Sequence, residues 1–228
     1  MTTYKVVEIF ESINGEGKKA GQLAVFVRFQ KCNLNCSYCD TRWANADTSP
    51  YTPMTTEEIY NKILYSGITN ITITGGEPLL QNNIEELLIK LGENPNLKVE
   101  IETNGSINLK KFSSLKKFSS LKNPPSFTMD YKAPSSNMEK FMDLENFSYL
   151  TNNDTIKFVV GSIKDLEKTK EIIDKYSLIG KCSIYLSPVF GKIELSNIVN
   201  FMKTHKLNGV NMQLQMHKII WDPEAKGV

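Results

Sequence analysis

Three cysteines fall within eight residues, Cys32-Asn33-Leu34-Asn35-Cys36-Ser37-Tyr38-Cys39, while the fourth, Cys182, stands alone. Thiolates spaced C-x3-C-x2-C on one loop can converge on one metal centre. A 4Fe–4S cluster is commonly held by four cysteine thiolates. Three local cysteines would therefore leave one iron open to an outside ligand. Structural zinc sites are normally closed by four ligands, and the two histidines, His205 and His217, are far away in sequence. Spacing alone does not separate iron–sulfur from zinc. The opening Met1-Thr2-Thr3-Tyr4-Lys5 lacks an apolar h-region, so no secretory signal and a cytoplasmic location are expected. There thiols stay reduced, which argues against a disulfide framework.

Two further motifs follow. Thr74-Gly75-Gly76-Glu77-Pro78 comes after a strand. Its glycines allow close backbone approach to a ligand, and Glu77 can bring an anionic acceptor to an ammonium. Glu100-Ile101-Glu102-Thr103-Asn104-Gly105 closes the next strand. A Gly-Gly turn alone is weak evidence, since turns commonly carry it; its place one strand after the cysteine loop gives it weight.

The elements that must position these residues are short β-branched runs alternating with helical patterns. Strands are expected at 24–29, 70–74, 97–102, 127–131, 155–160, 182–186 and 210–215. Helices are expected from Thr55, where Glu58 follows a hydroxyl cap by three residues, and over 84–91, 164–176 and 194–206. Such alternation argues for a mainly parallel sheet with helical crossovers. A closed eight-stranded barrel typically takes about 250 residues; this chain has 228, and its first twenty do not start a βα unit. The expected fold is therefore an α/β, open, partial TIM-like barrel of about six parallel strands. No linker divides the chain, so residues 1–228 are expected to form one domain. Its 40% hydrophobic and 23% charged residues are ordinary for a globular protein. Apolar stretches are far shorter than the roughly 20 residues of a membrane span. A net charge of +2 neither demands nor excludes an anionic partner, and no nucleic acid is expected. Lys110-Lys111-Phe112-Ser113-Ser114-Leu115 recurs as Lys116-Lys117-Phe118-Ser119-Ser120-Leu121. It reads as a duplication in an exposed crossover, with Phe and Leu leaning on the body.

The cysteine triplet, with the aromatic Tyr38 before its last member, resembles the signature of the radical S-adenosylmethionine (SAM) superfamily. That resemblance implies a 4Fe–4S cluster on Cys32, Cys36 and Cys39 whose open iron is chelated by SAM. One electron from the cluster cleaves the sulfonium to a 5′-deoxyadenosyl radical, which takes a hydrogen atom from the substrate. Gly75, Gly76 and Glu77 resemble the superfamily's segment for the methionine amino group. Glu102 and Asn104 resemble its Glu-Thr-Asn-Gly segment, whose polar groups face the cofactor.

Within that superfamily, Glu8 to Gly17, then Phe26-Val27-Arg28-Phe29, then Cys39-Asp40-Thr41, is similar to the 7-carboxy-7-deazaguanine synthase family. The similarity runs on to Gln213-Leu214-Gln215-Met216-His217-Lys218 and the Trp221 tail. It implies ring contraction of 6-carboxy-5,6,7,8-tetrahydropterin to 7-carboxy-7-deazaguanine with loss of ammonia, in queuosine and 7-deazapurine biosynthesis, with SAM recycled. It implies an N-terminal substrate-binding segment over about 1–22 and a C-terminal tail closing the site. Ile13, Asn14, Gly15, Glu16, Arg28 and Gly76 are expected at the substrate, Arg28 forking onto its carboxylate and Glu16 accepting from its ring donors. The family has glutamine where this chain has Asn14, which is one methylene shorter. His217 matches its active-site histidine. Thr41 matches a threonine hydroxyl that ligates Mg2+, an ion satisfied by few protein ligands plus water. Tyr38, Asp130, Lys132, Ser187 and Gln215 are expected near SAM, and Lys157 lies near the same mouth. A flavodoxin- or ferredoxin-type electron donor and a homodimer are also implied. The competing readings are an activating enzyme that installs a glycyl radical and, from another class, a zinc-binding module for RNA or protein. Cys182 is expected to be a small buried residue.

Overall fold

Side-chain alternation on the strands sorts polar from apolar residues. On successive parallel strands Ile71, Ile73, Val99, Ile101, Phe127, Met129, Ile156 and Phe158 point one way into the hydrophobic core. The intervening Thr72, Thr74, Glu100, Glu102, Thr128, Asp130 and Lys157 point the other way. One face of the sheet is thus covered by helices, and the other encloses a polar interior.

The computed structural model describes residues 2–117 and 121–228. The strands are β1 (Thr3–Ile13), β2 (Leu23–Phe29), β3 (Thr52–Thr55), β4 (Asn70–Gly75), β5 (Lys98–Thr103), β6 (Ser126–Tyr131), β7 (Thr155–Val160), β8 (Ser183–Pro188) and β9 (Val210–Met212). The helices are α1 (Arg42–Asn45), α2 (Thr56–Ser66), α3 (Ile84–Glu93), α4 (Lys110–Ser113), α5 (Asn146–Tyr149), α6 (Ile163–Lys175), α7 (Leu195–Thr204) and α8 (His217–Ile220). They build one sheet in the order β3-β1-β2-β4-β5-β6-β7-β8-β9. From β2 through β9 every neighbouring pair is parallel. β1 pairs antiparallel with both β2 and β3. The sheet is open, with β3 and β9 at its edges, as a partial barrel requires.

Seven parallel strands agree with the expected six or so, and the N-terminal segment supplies a long antiparallel strand that alternation did not reveal. α2 begins at the expected capping box, in which Thr55 and Glu58 exchange bonds. α2, α3 and α6 bury Ile59, Ile63, Leu87, Leu88, Leu91, Leu166 and Ile173 on the apolar face of the sheet. At roughly 1.5–3 kcal/mol for each fully buried aliphatic side chain, this layer anchors the crossovers. Phe112 and Leu115 of the first Lys-Lys-Phe-Ser-Ser-Leu copy are buried, whereas residues 118–120 of the second lie outside the described residues. No described helix is long and apolar enough to cross a membrane.

Candidate active site

Chain direction gathers the chemistry. All seven parallel strands point their carboxyl ends to one side, and the loops leaving those ends surround one mouth. The mouth opens on a cavity of about 310 Å3. β2 ends at Phe29 and leads into the cysteine loop, so Cys32, Cys36 and Cys39 all line this cavity. Gly75 and Gly76 leave β4, Asn104 leaves β5, and Asp130 and Lys132 flank the end of β6, all on the same walls.

The cysteine loop is fixed from several sides. Cys32 Sγ accepts from Leu34 N at 3.4 Å and from Asn104 Nδ2 at 3.5 Å. Cys39 Sγ accepts from Asn45 Nδ2 at 3.4 Å. Arg42 Nη2 donates to the carbonyl oxygens of Cys36 and Ser37 at 2.8 and 3.1 Å. Burial pushes the Cys36 thiol up to about 11, so a thiolate there calls for a cation partner.

The residues fit the cofactor set that the cysteines imply. Among the described residues no three His, Cys, Asp or Glu side chains are grouped to hold a single metal ion. Cys32, Cys36 and Cys39 nevertheless line one cavity, which suits a cluster whose irons each take one thiolate. Three cavity-lining residues also carry buried polar atoms with no hydrogen-bond partner, Tyr38 OH, Asn45 Oδ1 and Asp130 Oδ1. Such orphans are uncommon in native interiors, and all three belong to residues of the cavity wall.

Opposite the cysteines, the turn after β1 delivers Glu16. Lys157 Nζ donates to Glu16 Oε2 at 3.0 Å, Gln215 Nε2 reaches the same oxygen at 3.5 Å, and Ser187 Oγ donates to Oε1. Burial alone would push this carboxyl up, but Lys157 and the Ser187 bond outweigh it and hold it below its ordinary value. Burial likewise disfavours the Lys157 ammonium, yet Glu16, Asp130 and Glu102 keep it charged. Glu102 is pushed up by its burial, and its Oε2 accepts from Thr74 Oγ1 at 2.7 Å. Asp130 accepts from Lys132 Nζ at 2.7 Å.

The C-terminal segment completes the wall. Met216 N donates to Gly15 O at 3.2 Å, which docks α8 against the Glu16 turn. A Cβ on Gly15 would strike His217 Nδ1, so the imidazole needs glycine there. Burial lowers the His217 pKa. Lys218 Nζ lies 3.3 Å from Asp40 Oδ2, and Thr41 Oγ1 donates to Asp40 Oδ1 at 3.0 Å. Thr41 and Asp40 are hard oxygen donors of the kind Mg2+ takes. Pro223 to Val228 line the cavity rim.

Three of the expected residues do not line the cavity. The Asn14 side chain does not line the cavity; it is buried, and its Oδ1 accepts from Thr72 Oγ1 at 2.8 Å. Asparagine is short enough to be absorbed by the strand beneath it. Glu77 is also fully buried behind the wall, its carboxylate taken up by Leu79 N, Asn104 N and Thr103 Oγ1. Ser187 is buried too and touches Glu16 rather than the cavity. The remaining expected residues, including Ile13, Gly15, Arg28, Tyr38, Thr41 and Gln215, line the cavity. Trp43, Asn45 and Phe10 line it as well and were missed. Nothing in their spacing marked them. Lys157 had a usable signal, a charge alternating inward on an otherwise apolar strand.

Comparison with known proteins agrees with this geometry. The model of the Radical SAM superfamily matches residues 26–204. A 7-carboxy-7-deazaguanine synthase of Clostridium acetobutylicum is 57% identical over 99% of this chain and 99% of that protein. One of Chlorobaculum tepidum is 36% identical over 98% and 96%. The crystal structure of QueE from Escherichia coli superposes with a TM-score of 0.71 over 94% of this chain and 95% of that one; at 20% identity it speaks for the fold. The chain belongs to the radical SAM superfamily and, within it, to the 7-carboxy-7-deazaguanine synthase family.

Proposed function

We propose that this chain contracts the ring of 6-carboxy-5,6,7,8-tetrahydropterin to 7-carboxy-7-deazaguanine with loss of ammonia, a step toward queuosine and other 7-deazapurines. The observation that carries this reading is the pairing of Glu16 and Arg28 on one cavity with the three cysteines. An anchored carboxylate suits the ring donors of a pterin, and a guanidinium suits its carboxylate. When bound, the 4Fe–4S cluster and SAM supply hydrogen-atom abstraction by a carbon radical.

The chain's own residues then have distinct tasks. Glu16, held charged by Lys157 and Ser187, accepts from the pterin's N–H groups. Arg28 forks onto the carboxylate and sets which ring carbon faces the cysteine wall. His217, kept neutral by burial, offers a ring nitrogen that accepts a proton. Thr41, with Asp40 beside it, offers oxygen ligands to Mg2+, which would hold the same carboxylate. Asn104, Asp130, Lys132, Glu102 and Tyr38 line the cavity and would hold SAM, while Glu77 would shape the turn that receives it. The family resemblance also supports a flavodoxin- or ferredoxin-type electron donor, a homodimer and a cytoplasmic location.

The test is anaerobic reconstitution followed by turnover with the carboxylated pterin, SAM and a reductant. A brown protein with about four irons per chain that releases 7-carboxy-7-deazaguanine is expected. A fully reduced cluster that yields no such product would overturn the reading.

A further inference from the structure

Over the stretch that pairs with β2, β1 carries one extra residue. Val6 opposes Phe29 and Glu8 opposes Arg28, so two steps on β1 match one on β2, and the register breaks between Val6 and Glu8. In an unbroken antiparallel ladder Val7 would oppose Arg28. The extra residue re-aims the strand and puts Glu8 there instead. Beyond it the register is regular, Phe10 opposes Phe26, and their rings stack at 4.9 Å. Opposed residues share a face of the sheet, so Glu8, Phe10, Phe26 and Arg28 stand together.

On that face the guanidinium is held from several directions. Arg28 Nε donates to Glu8 Oε1 at 2.7 Å. The guanidinium carbon lies 5.5 Å from the Phe10 ring centre and 5.8 Å from that of Trp43. Phe10, Trp43 and Arg28 line the cavity, and Glu8 does not. Arginine has five N–H donors in a rigid fork. With Nε committed to Glu8, the two Nη groups are the ones left for a ligand.

We propose that Glu8 is a positioning residue that makes Arg28 selective for a carboxylated pterin. The inference rests on the reading that Arg28 receives the substrate carboxylate. The bulge in β1 brings a carboxylate to Nε, the two rings fix the guanidinium plane, and the Nη edge is presented to the cavity as a bidentate fork. Without Glu8 the guanidinium rotates about its last bonds, and the fork loses its aim while keeping its charge.

The experiment compares Glu8→Ala, Glu8→Gln and Arg28→Ala as reconstituted, cluster-loaded enzymes. It measures KM and kcat for 6-carboxytetrahydropterin, the inhibition constant of tetrahydropterin lacking the carboxylate, and iron content. Glu8→Ala should raise KM about tenfold with kcat within about twofold, the scale of one charge-assisted hydrogen bond. Glu8→Gln keeps an acceptor oxygen for Nε and should stay within about threefold of the parent. Inhibition by the uncarboxylated analogue and iron content should not change. If Arg28→Ala raises KM and Glu8→Ala does not, the positioning role is overturned and the substrate reading stands. If Arg28→Ala leaves KM unchanged, the substrate reading itself falls. Should Glu8→Ala fail to load iron, Glu8→Gln decides: a KM close to the parent's supports the role, and equal weakening toward both pterins overturns it.

Discussion

The carbonyl of Lys31 accepts the backbone N–H of Glu77 at 2.9 Å. This bond joins the residue before the first cysteine to the Gly-Gly-Glu turn of the neighbouring strand. Gly76 N donates to Phe29 O at 3.1 Å beside it. The two motifs, some forty residues apart in sequence, are therefore one latch, and the cysteine loop takes its shape from the turn.

The latch leaves no room for a side chain. A Cβ on Gly76 would collide with the carbonyl carbon and oxygen of Lys31 and crowd Asn45 Oδ1 at 2.7 Å. Gly76→Ala should force the cysteine loop outward, lower stability by about 1–3 kcal/mol and impair cluster assembly. Denaturant unfolding with iron and sulfide analysis checks both; parental values for each would contradict the latch.

The fourth cysteine separates a specific site from general thiol chemistry. Cys182 is buried immediately before β8, at the amino end of the strand, whereas Cys32, Cys36 and Cys39 lie beyond the carboxyl end of β2. Cys36→Ser should abolish iron loading and turnover together. Cys182→Ala should load iron like the parent and change only stability, by about 1 kcal/mol for a small cavity. Iron loss in Cys182→Ala would show that the three-cysteine assignment is incomplete.

The parallel strands and longer helices were legible because one face of each packs on an apolar layer, giving clean alternation and caps such as Thr55 and Glu58. β1 was not. Its apolar residues run Val6, Val7, Ile9, Phe10, and the irregularity between Val6 and Glu8 breaks the period of two. Motif residues on loops were readable as a set, but their division of labour was not. Glu77 and Asn14 carry the right chemistry, yet tertiary packing turns both side chains inward, toward Thr103 and Thr72. Trp43 and Phe10 meet Arg28 only through strand pairing and the return of the cysteine loop.

Glu77 should give the fold a pH dependence of its own. Burial pushes its carboxyl up to about 7 from an ordinary 4.5, against the pull of its bonds from Asn104, Leu79 and Thr103. A folded value above the unfolded one means that ionisation is harder in the fold. This destabilising contribution is absent below about 4.5, grows as pH rises, and levels off above about 7 at roughly 3 kcal/mol. Glu77→Gln should flatten the stability of the cluster-free chain across that window. Glu77→Ala should cost about 2–4 kcal/mol at low pH, because three buried donors lose their acceptor, and less as pH rises and the parent gives up stability on ionising. Unfolding curves at pH 5 and about pH 7.5 decide; a parent and Glu77→Gln with the same slope would place the titration elsewhere.

Lys157 should control the acid limb of substrate affinity. Glu16 is buried, and burial would raise its pKa; the Lys157 charge, the Ser187 bond and the Lys157 bond together bring it below 4.5. Its folded value is depressed, so the charged carboxylate is favoured above the unfolded value and lost as pH falls through the folded one. Lys157→Met removes the largest opposing influence and leaves burial in command, so Glu16 should then take up its proton at higher pH. The acid limb of kcat/KM should move upward, and an uncompensated buried charge should cost about 3–5 kcal/mol of stability at neutral pH. Lys157→Arg keeps the charge and should return the limb toward its parental place, although the longer fork fits the 3.0 Å contact less well. The pH profile of kcat/KM for all three enzymes distinguishes this from damage to the fold. A Lys157→Met enzyme that is slower at every pH with an unmoved acid limb would show that Lys157 supports the wall without setting the charge on Glu16.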